Sequence, residues 1–181
     1  MSSAFKATSL IKLIFSLYLI INCTCTEVAT QVEQPPFRGT IKVTVDNVLE
    51  RITRNGQTLS LFGAGVLNDW TKVKTVRAVL RSGDFIAITG RNTGVYSVSN
   101  PGAMMATIRY RDSFGNMRTV NTSNSWRCNN IVARQLGANN NPNTIWFQNN
   151  NGQIVGINGN AQWIWFRRLA APRVTCSIRL P

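Results

Sequence analysis

The chain has 181 residues, with 20 basic and 7 acidic side chains, no histidine, and a formal net charge of +13 at pH 7. Without histidine, neither a Ser-His-Asp nor a Cys-His nucleophile nor a histidine-based metal centre can be assembled. So basic a chain is instead expected to meet polyanions.

The chain opens on MSSAFKATSLIKLIFSLYLIINCTC. Lys6 and Lys12 supply a positive region, Leu13 to Ile21 is apolar apart from Ser16, and Cys23 and Cys25 suit a small-residue cleavage rule. Residues 1–25 are thus expected to be a signal peptide. A membrane anchor needs about 20 apolar residues; this run is shorter and gives way to polar chain, and no later stretch is apolar enough to span a bilayer. Residues 26–37 read as a linker and 38–181 as one domain, of a size that buries a real core. Loss of the leader removes two basic residues and no acidic one, leaving 18 against 7 and a net charge of +11. In a secreted protein the expected partners are sulfated or carboxylated glycans and other anionic extracellular polymers, ahead of nucleic acid.

Beyond residue 38 the dominant pattern is period two. GTIKVTV sets Ile41, Val43 and Val45 against Lys42 and Thr44, and ATIRYR sets Ala106, Ile108 and Tyr110 against Thr107, Arg109 and Arg111. Turn signals recur at Asn55-Gly56, Ser82-Gly83, Gly115, Asn151-Gly152 and Gly159. No segment carries a capped 3.6-residue period, so an all-β sandwich with negligible helix is expected. GANNNPN and FQNNNGQ read as surface loops, with the amides of Asn139, Asn140 and Asn141 as alternative ligand groups.

Only Cys128 and Cys176 survive removal of the leader, and in an oxidising compartment two cysteines are expected to pair. The alternative is two buried thiols; a zinc site lacks its usual four ligands. In NAQWIWF, Trp163 and Trp165 are expected on one face of a strand and Ile164 and Phe166 on the other, hence a strand buried on both sides; a sugar platform and a nucleic-acid surface are the competing readings. Trp126, beside Cys128, reads as core. Trp70 in LNDWTK and Trp146 in NPNTIWFQ stand at expected loop edges beside amides and Asp69, where an indole can stack on a sugar ring, although core packing explains both. Of the carboxylates inside the domain, Asp46, Glu50, Asp69, Asp84 and Asp112, three sit in turn-like contexts, so no flanking pair for glycosidase chemistry stands out. The chain is expected not to be an enzyme.

Several stretches, VTVDNVLERITRNG, NDWTKVKTV, GDFIAITGRNTG, NPGAMMATIRY and SNSWRC, together resemble the galactose-binding-domain-like jelly rolls of discoidin-type modules and accessory carbohydrate-binding domains. The resemblance rests on Asp46-Asn47, Asn55-Gly56, Asp69-Trp70, Gly83 to Ile88 and Pro101 to Ile108, taken in order, and on the closing NAQWIWF and VTCSIRL. It implies an antiparallel jelly-roll β-sandwich and, loosely, carbohydrate binding. It is also compatible with a structural calcium ion held by loop carboxylates and carbonyls. No other cofactor is expected.

Arg91, Arg109, Arg111, Arg118 and Arg127 are the expected members of a basic patch, with Arg109 and Arg111 projecting from one face; a guanidinium fork suits sulfate and carboxylate. Asn121 in NTS is an acceptor sequon, expected at the surface. Two functions remain open: a secreted lectin-like protein for acidic or sulfated glycans, using Asp69, Trp70, Arg109, Arg111 and Trp146, or a structural or adhesive matrix protein without a discrete sugar site.

Overall fold

The computed structural model describes residues 37–94, 100–168 and 171–181, and residues 36–181 form one compact unit. The expected signal peptide, and all but the last residue of the linker, lie outside the described residues. The alternation read from GTIKVTV becomes a nine-residue strand, β1 (Arg38–Asp46), in which Ile41, Val43 and Val45 are fully buried. Thr44, on the opposite face, is buried as well, because its hydroxyl donates to the carbonyl of Trp70, which packs over it. ATIRYR lies within β6 (Ala103–Arg111), with Ala106, Ile108 and Tyr110 inside and Arg109 and Arg111 exposed.

The remaining strands are β2 (Val48–Arg54), β3 (Gln57–Thr58), β4 (Lys74–Val79), β5 (Phe85–Arg91), β7 (Met117–Asn121), β8 (Arg127–Cys128), β9 (Ile131–Val132), β10 (Arg134–Ala138), β11 (Gln162–Trp165) and β12 (Arg173–Arg179). They form two antiparallel sheets. The first runs β10-β11-β6-β1-β4, with β7 also pairing β6; the second runs β3-β2-β5-β12-β8-β9. The expected all-β antiparallel sandwich is therefore the fold. Its helix content among the described residues is one turn, α1 (Ile145–Asn149), capped by the Thr144 hydroxyl accepting from the amide of Phe147. Five residues are too few to display a helical period.

The sheets enclose a core of Ile41, Val43, Val45, Ile108 and Tyr110 against Ile52, Ile86, Ile88, Val174 and Cys176. Trp165 fits because Gly102 carries no side chain: a Cβ there would lie 2.5 Å from its Cε2, while one on Gly90 would lie 2.4 Å from Val45 Cγ1. A second cluster, Ala103, Met105, Trp146, Ile154, Ile157, Ala161 and Trp163, packs separately from this core. Trp163 and Trp165 thus belong to different clusters, and Trp165 shares the main core with Ile164. The expectation that the two tryptophans share a face is corrected, although both are buried as expected.

Asn55 and Gly56 join β2 to β3 with φ of 50° and 82°, the left-handed pair that a two-residue hairpin requires. Asp84 clamps this turn: its carboxylate accepts from Arg54 Nε at 2.8 Å, Asn55 Nδ2 at 2.7 Å and the Arg81 amide at 2.8 Å. Cys128 and Cys176 face each other across β8 and β12 and are joined as the expected disulfide.

Candidate functional site

Antiparallel register places directly opposed residues on one face, so the outer surface of the first sheet can be read row by row. Arg77 opposes Thr40, which opposes Arg109, which opposes Thr119. Two residues along, Val79 and Arg38 face each other across β4 and β1, while Arg111 faces Met117 across β6 and β7. In the other direction the row is Thr75, Lys42, Thr107 and Asn121. Five cations, Arg38, Lys42, Arg77, Arg109 and Arg111, consequently share one face. None of the five lies within ion-pair distance of a carboxylate among the described residues.

Strands lie about 4.8 Å apart and same-face residues repeat about every 6.6 Å, so this lattice spans roughly 10 by 13 Å. At such spacings each pair of exposed like charges costs about 0.5 kcal/mol in water, less with salt. The cost is modest, but no described carboxylate offsets it; an anionic ligand would. Arg111 also lies over the ring of Phe37, 5.0 Å from its centroid, which orients one guanidinium along the face.

The face ends where the rows beyond Lys42 are roofed. Met105 and Ala103 continue the outer side of β6, but the segment from Asn139 to Ala161 covers them. Asn139 holds that segment in place: its amide donates to the carbonyls of Ile154 and Ile157 and accepts from the Ile154 amide. Asn139 is therefore buried and structural, whereas Asn140 is exposed and Asn141 accepts from the Asn143 amide. The Asn158 amide donates to Thr107, closing the roof against the Lys42 row.

Trp146, read from the sequence as standing at a loop edge, is buried on α1. It stacks on Trp163 with centroids 4.9 Å apart, and its Nε1 donates to Asp46 at 2.9 Å. Burial raises the Asp46 carboxyl, and that hydrogen bond opposes the rise. Trp70 is half-buried and meets Trp163 edge-on at 6.3 Å. Asp69 beside it accepts from the Thr71 hydroxyl and amide, the hydroxyl bond doing most to hold its carboxyl below the usual range. The Asp69 to Lys72 turn is pinned by Lys74, whose buried ammonium donates to the carbonyls of Asp69 and Lys72. Burial brings Lys74 down to about 8, against the attraction of Asp69.

The structure thus keeps Arg109 and Arg111 together and adds Arg38, Lys42 and Arg77, which local pattern does not reveal. Three other expected members of the patch are elsewhere engaged. Arg91, on the second sheet, pairs with Glu50 at 2.7 Å, and Arg118 with Asp112 at 2.7 Å; Arg127, also on the second sheet, donates to the carbonyl of Asn130. The other carboxylates are likewise committed, Glu50 additionally to Arg173 and Asp84 to Arg54. Among the described residues no three His, Cys, Asp or Glu side chains gather as metal ligands. Comparison with protein-family models, with curated proteins and with solved structures finds no match for the chain.

Proposed function

We propose that the chain is a secreted, lectin-like protein of jelly-roll type that binds acidic or sulfated glycans through the outer face of its first sheet. The observation that carries this reading is the lattice of Arg38, Lys42, Arg77, Arg109 and Arg111, which has no carboxylate partner among the described residues. Four of its five cations are guanidinium groups, which hold sulfate or carboxylate oxygens with two parallel hydrogen bonds. Half-buried Trp70 stands near the roofed end, where an indole offers a sugar ring an apolar surface. The disulfide is in keeping with an oxidising compartment. Four of the five described acidic side chains are bonded at turns or to arginines and the fifth, Asp46, to the Trp146 indole, in keeping with binding rather than catalysis. A glycan array containing neutral, carboxylated and sulfated members, read at two salt concentrations, tests the proposal. Binding confined to acidic members and weakened by salt is expected; salt-independent binding of neutral members overturns it.

The second reading, a structural or adhesive matrix protein without a discrete sugar site, is favoured by one observation. Trp126, Trp146, Trp163 and Trp165 are all buried, so no open platform of tandem indoles exists among them. Equal affinity for every polyanion regardless of its backbone on the same array supports this reading instead.

A further inference from the structure

We infer that Asn121 is an N-glycosylation site whose glycan lies across the basic face and limits access to it. The inference rests on the glycan-binding reading for its consequence, but not for the placement of the sugar. Asn121 ends β7 and begins the sequon NTS. Its register partner is Thr107, which in turn opposes Lys42, so the three form one row at the roofed edge of the basic face, with Thr107 itself buried beneath the Asn158 amide. The next row contains Arg109 and Arg77. From sheet geometry, Asn121 stands about 8 Å from Arg109 on the diagonal and about 10 Å from Lys42.

The amide is held in a defined orientation. The Thr107 hydroxyl donates to Asn121 Oδ1 at 2.9 Å, and Nδ2, the atom that would carry the sugar, has no acceptor among the described residues. The carbonyl of Asn121 accepts from Trp126 Nε1 at 3.0 Å, which anchors the backbone here to a fully buried side chain. Thr122 is buried inside with its hydroxyl donating to the Gln162 carbonyl, so the two neighbouring side chains point to opposite sides of the strand. A glycan on Nδ2 therefore leaves from the outer side of β7, an edge strand beside the basic lattice. The basic lattice is roughly 10 by 13 Å, which a branched oligosaccharide of several rings covers.

The modification needs a lipid-diphosphate-linked oligosaccharide as donor. Asn121 Nδ2 attacks the anomeric carbon, a C–N bond forms and the C–O bond breaks, the lipid diphosphate leaves with the electron pair, and a base takes one amide proton. Transfer occurs on the extended chain, and folding then fixes where the sugar lies.

The test uses the full chain from a glycosylating secretory host beside its Ser123→Ala variant. That variant removes the sequon but leaves Asn121 and its bond to Thr107. Peptide mass mapping is expected to find hexose-rich mass on Asn121 in the parent alone. Arginine modification by phenylglyoxal is expected to be several-fold slower at Arg77 and Arg109 in the glycosylated parent than in Ser123→Ala, and equal at Arg179 on the second sheet. The variant is also expected to elute from a dextran sulfate column at higher salt than the parent. An unmodified Asn121, or equal phenylglyoxal rates at Arg109, overturns the inference. If neither protein is retained on the column, the glycan-binding reading fails, and the arginine rates still decide where the sugar lies.

Discussion

Replacing Arg109 and Arg111 with alanine tests the basic face directly. The two are adjacent same-face residues of β6, and both are exposed. Their removal therefore takes two of five charges from the lattice without opening a cavity. When a polyanion binds, each neutralised charge releases counterions, so the logarithm of affinity falls linearly with the logarithm of salt. With about 0.7 to 0.9 per contact, the five-cation face should give a slope near −4 and the double variant one near −2.5. Over a tenfold rise in salt the parent then loses about 10^4 in affinity and the variant about 10^2.5. Titration with dextran sulfate at several salt concentrations, followed by tryptophan fluorescence or calorimetry, measures the slope. The matched control is Arg127→Ala with Arg179→Ala, which removes the same net charge from β8 and β12 of the other sheet. If both double variants shift the slope equally, only net charge matters and the face is not a site. If Arg109→Ala with Arg111→Ala leaves the slope unchanged, binding lies elsewhere.

Three further outcomes concern stability. Lys74 has a folded-state value of about 8 against 10.5 ordinarily, so between these the unfolded chain binds more protons and stability rises with pH. The total gain is about 3 kcal/mol at most, and denaturant melts of Lys74→Met from pH 7 to 10.5 should lack it; a variant with the parent's slope rejects this account. Burial pushes the Asp84 carboxyl up, but bonds from the Arg81 amide, Asn55 and Arg54 hold it below its ordinary value of 3.8. Its stabilisation is present above about pH 4 and lost as pH falls through the lower folded value. Asp84→Asn should cost about 1 to 3 kcal/mol at pH 7, a gap that closes in acid; a pH-independent gap refutes the assignment. The disulfide closes a 48-residue separation, and its removal in Cys128→Ala with Cys176→Ala should cost about 4 kcal/mol in the chain-entropy account, read as a lower denaturation midpoint; an unchanged midpoint contradicts it.

Local pattern accounts for the elements and long-range register accounts for the site. Ile41, Val43, Val45, Ile108 and Tyr110 are legible as core because alternation is a property of a few consecutive residues, and Asn55-Gly56 is legible as a hairpin because its two left-handed φ values are demanded locally. The place of Trp146 is not legible, because its burial depends on Asp46 and Trp163, neither of them near it in sequence as the chain turns through α1. The same reason separates the arginines. Arg77 and Arg91 have similar neighbours in sequence, each ending or interrupting an apolar run. Only pairing tells them apart: β4 brings Arg77 beside Thr40 on a face where no described carboxylate pairs with it, whereas β5 brings Arg91 to Glu50.

That difference also gives the charge pattern its meaning. Glu50 serves two arginines, Asp84 one and Asp112 one, so these acids neutralise Arg91, Arg173 and Arg54 on the second sheet and Arg118 on β7 of the first. A chain that only needed solubility could scatter its remaining cations over every surface. Of the fourteen described cations outside those ion pairs, five face one way across β4, β1 and β6, beside threonines at Thr40, Thr107 and Thr119 whose small side chains leave the guanidinium groups uncovered. Thr75 and Thr40 are half-buried between them, so a ligand can approach the sheet closely enough for bidentate contact. Replacing Thr40 with leucine would keep every charge and raise the floor of the lattice. Affinity for dextran sulfate should then fall several-fold with little change in its salt slope, whereas a site that senses only net charge would bind the variant as tightly as the parent.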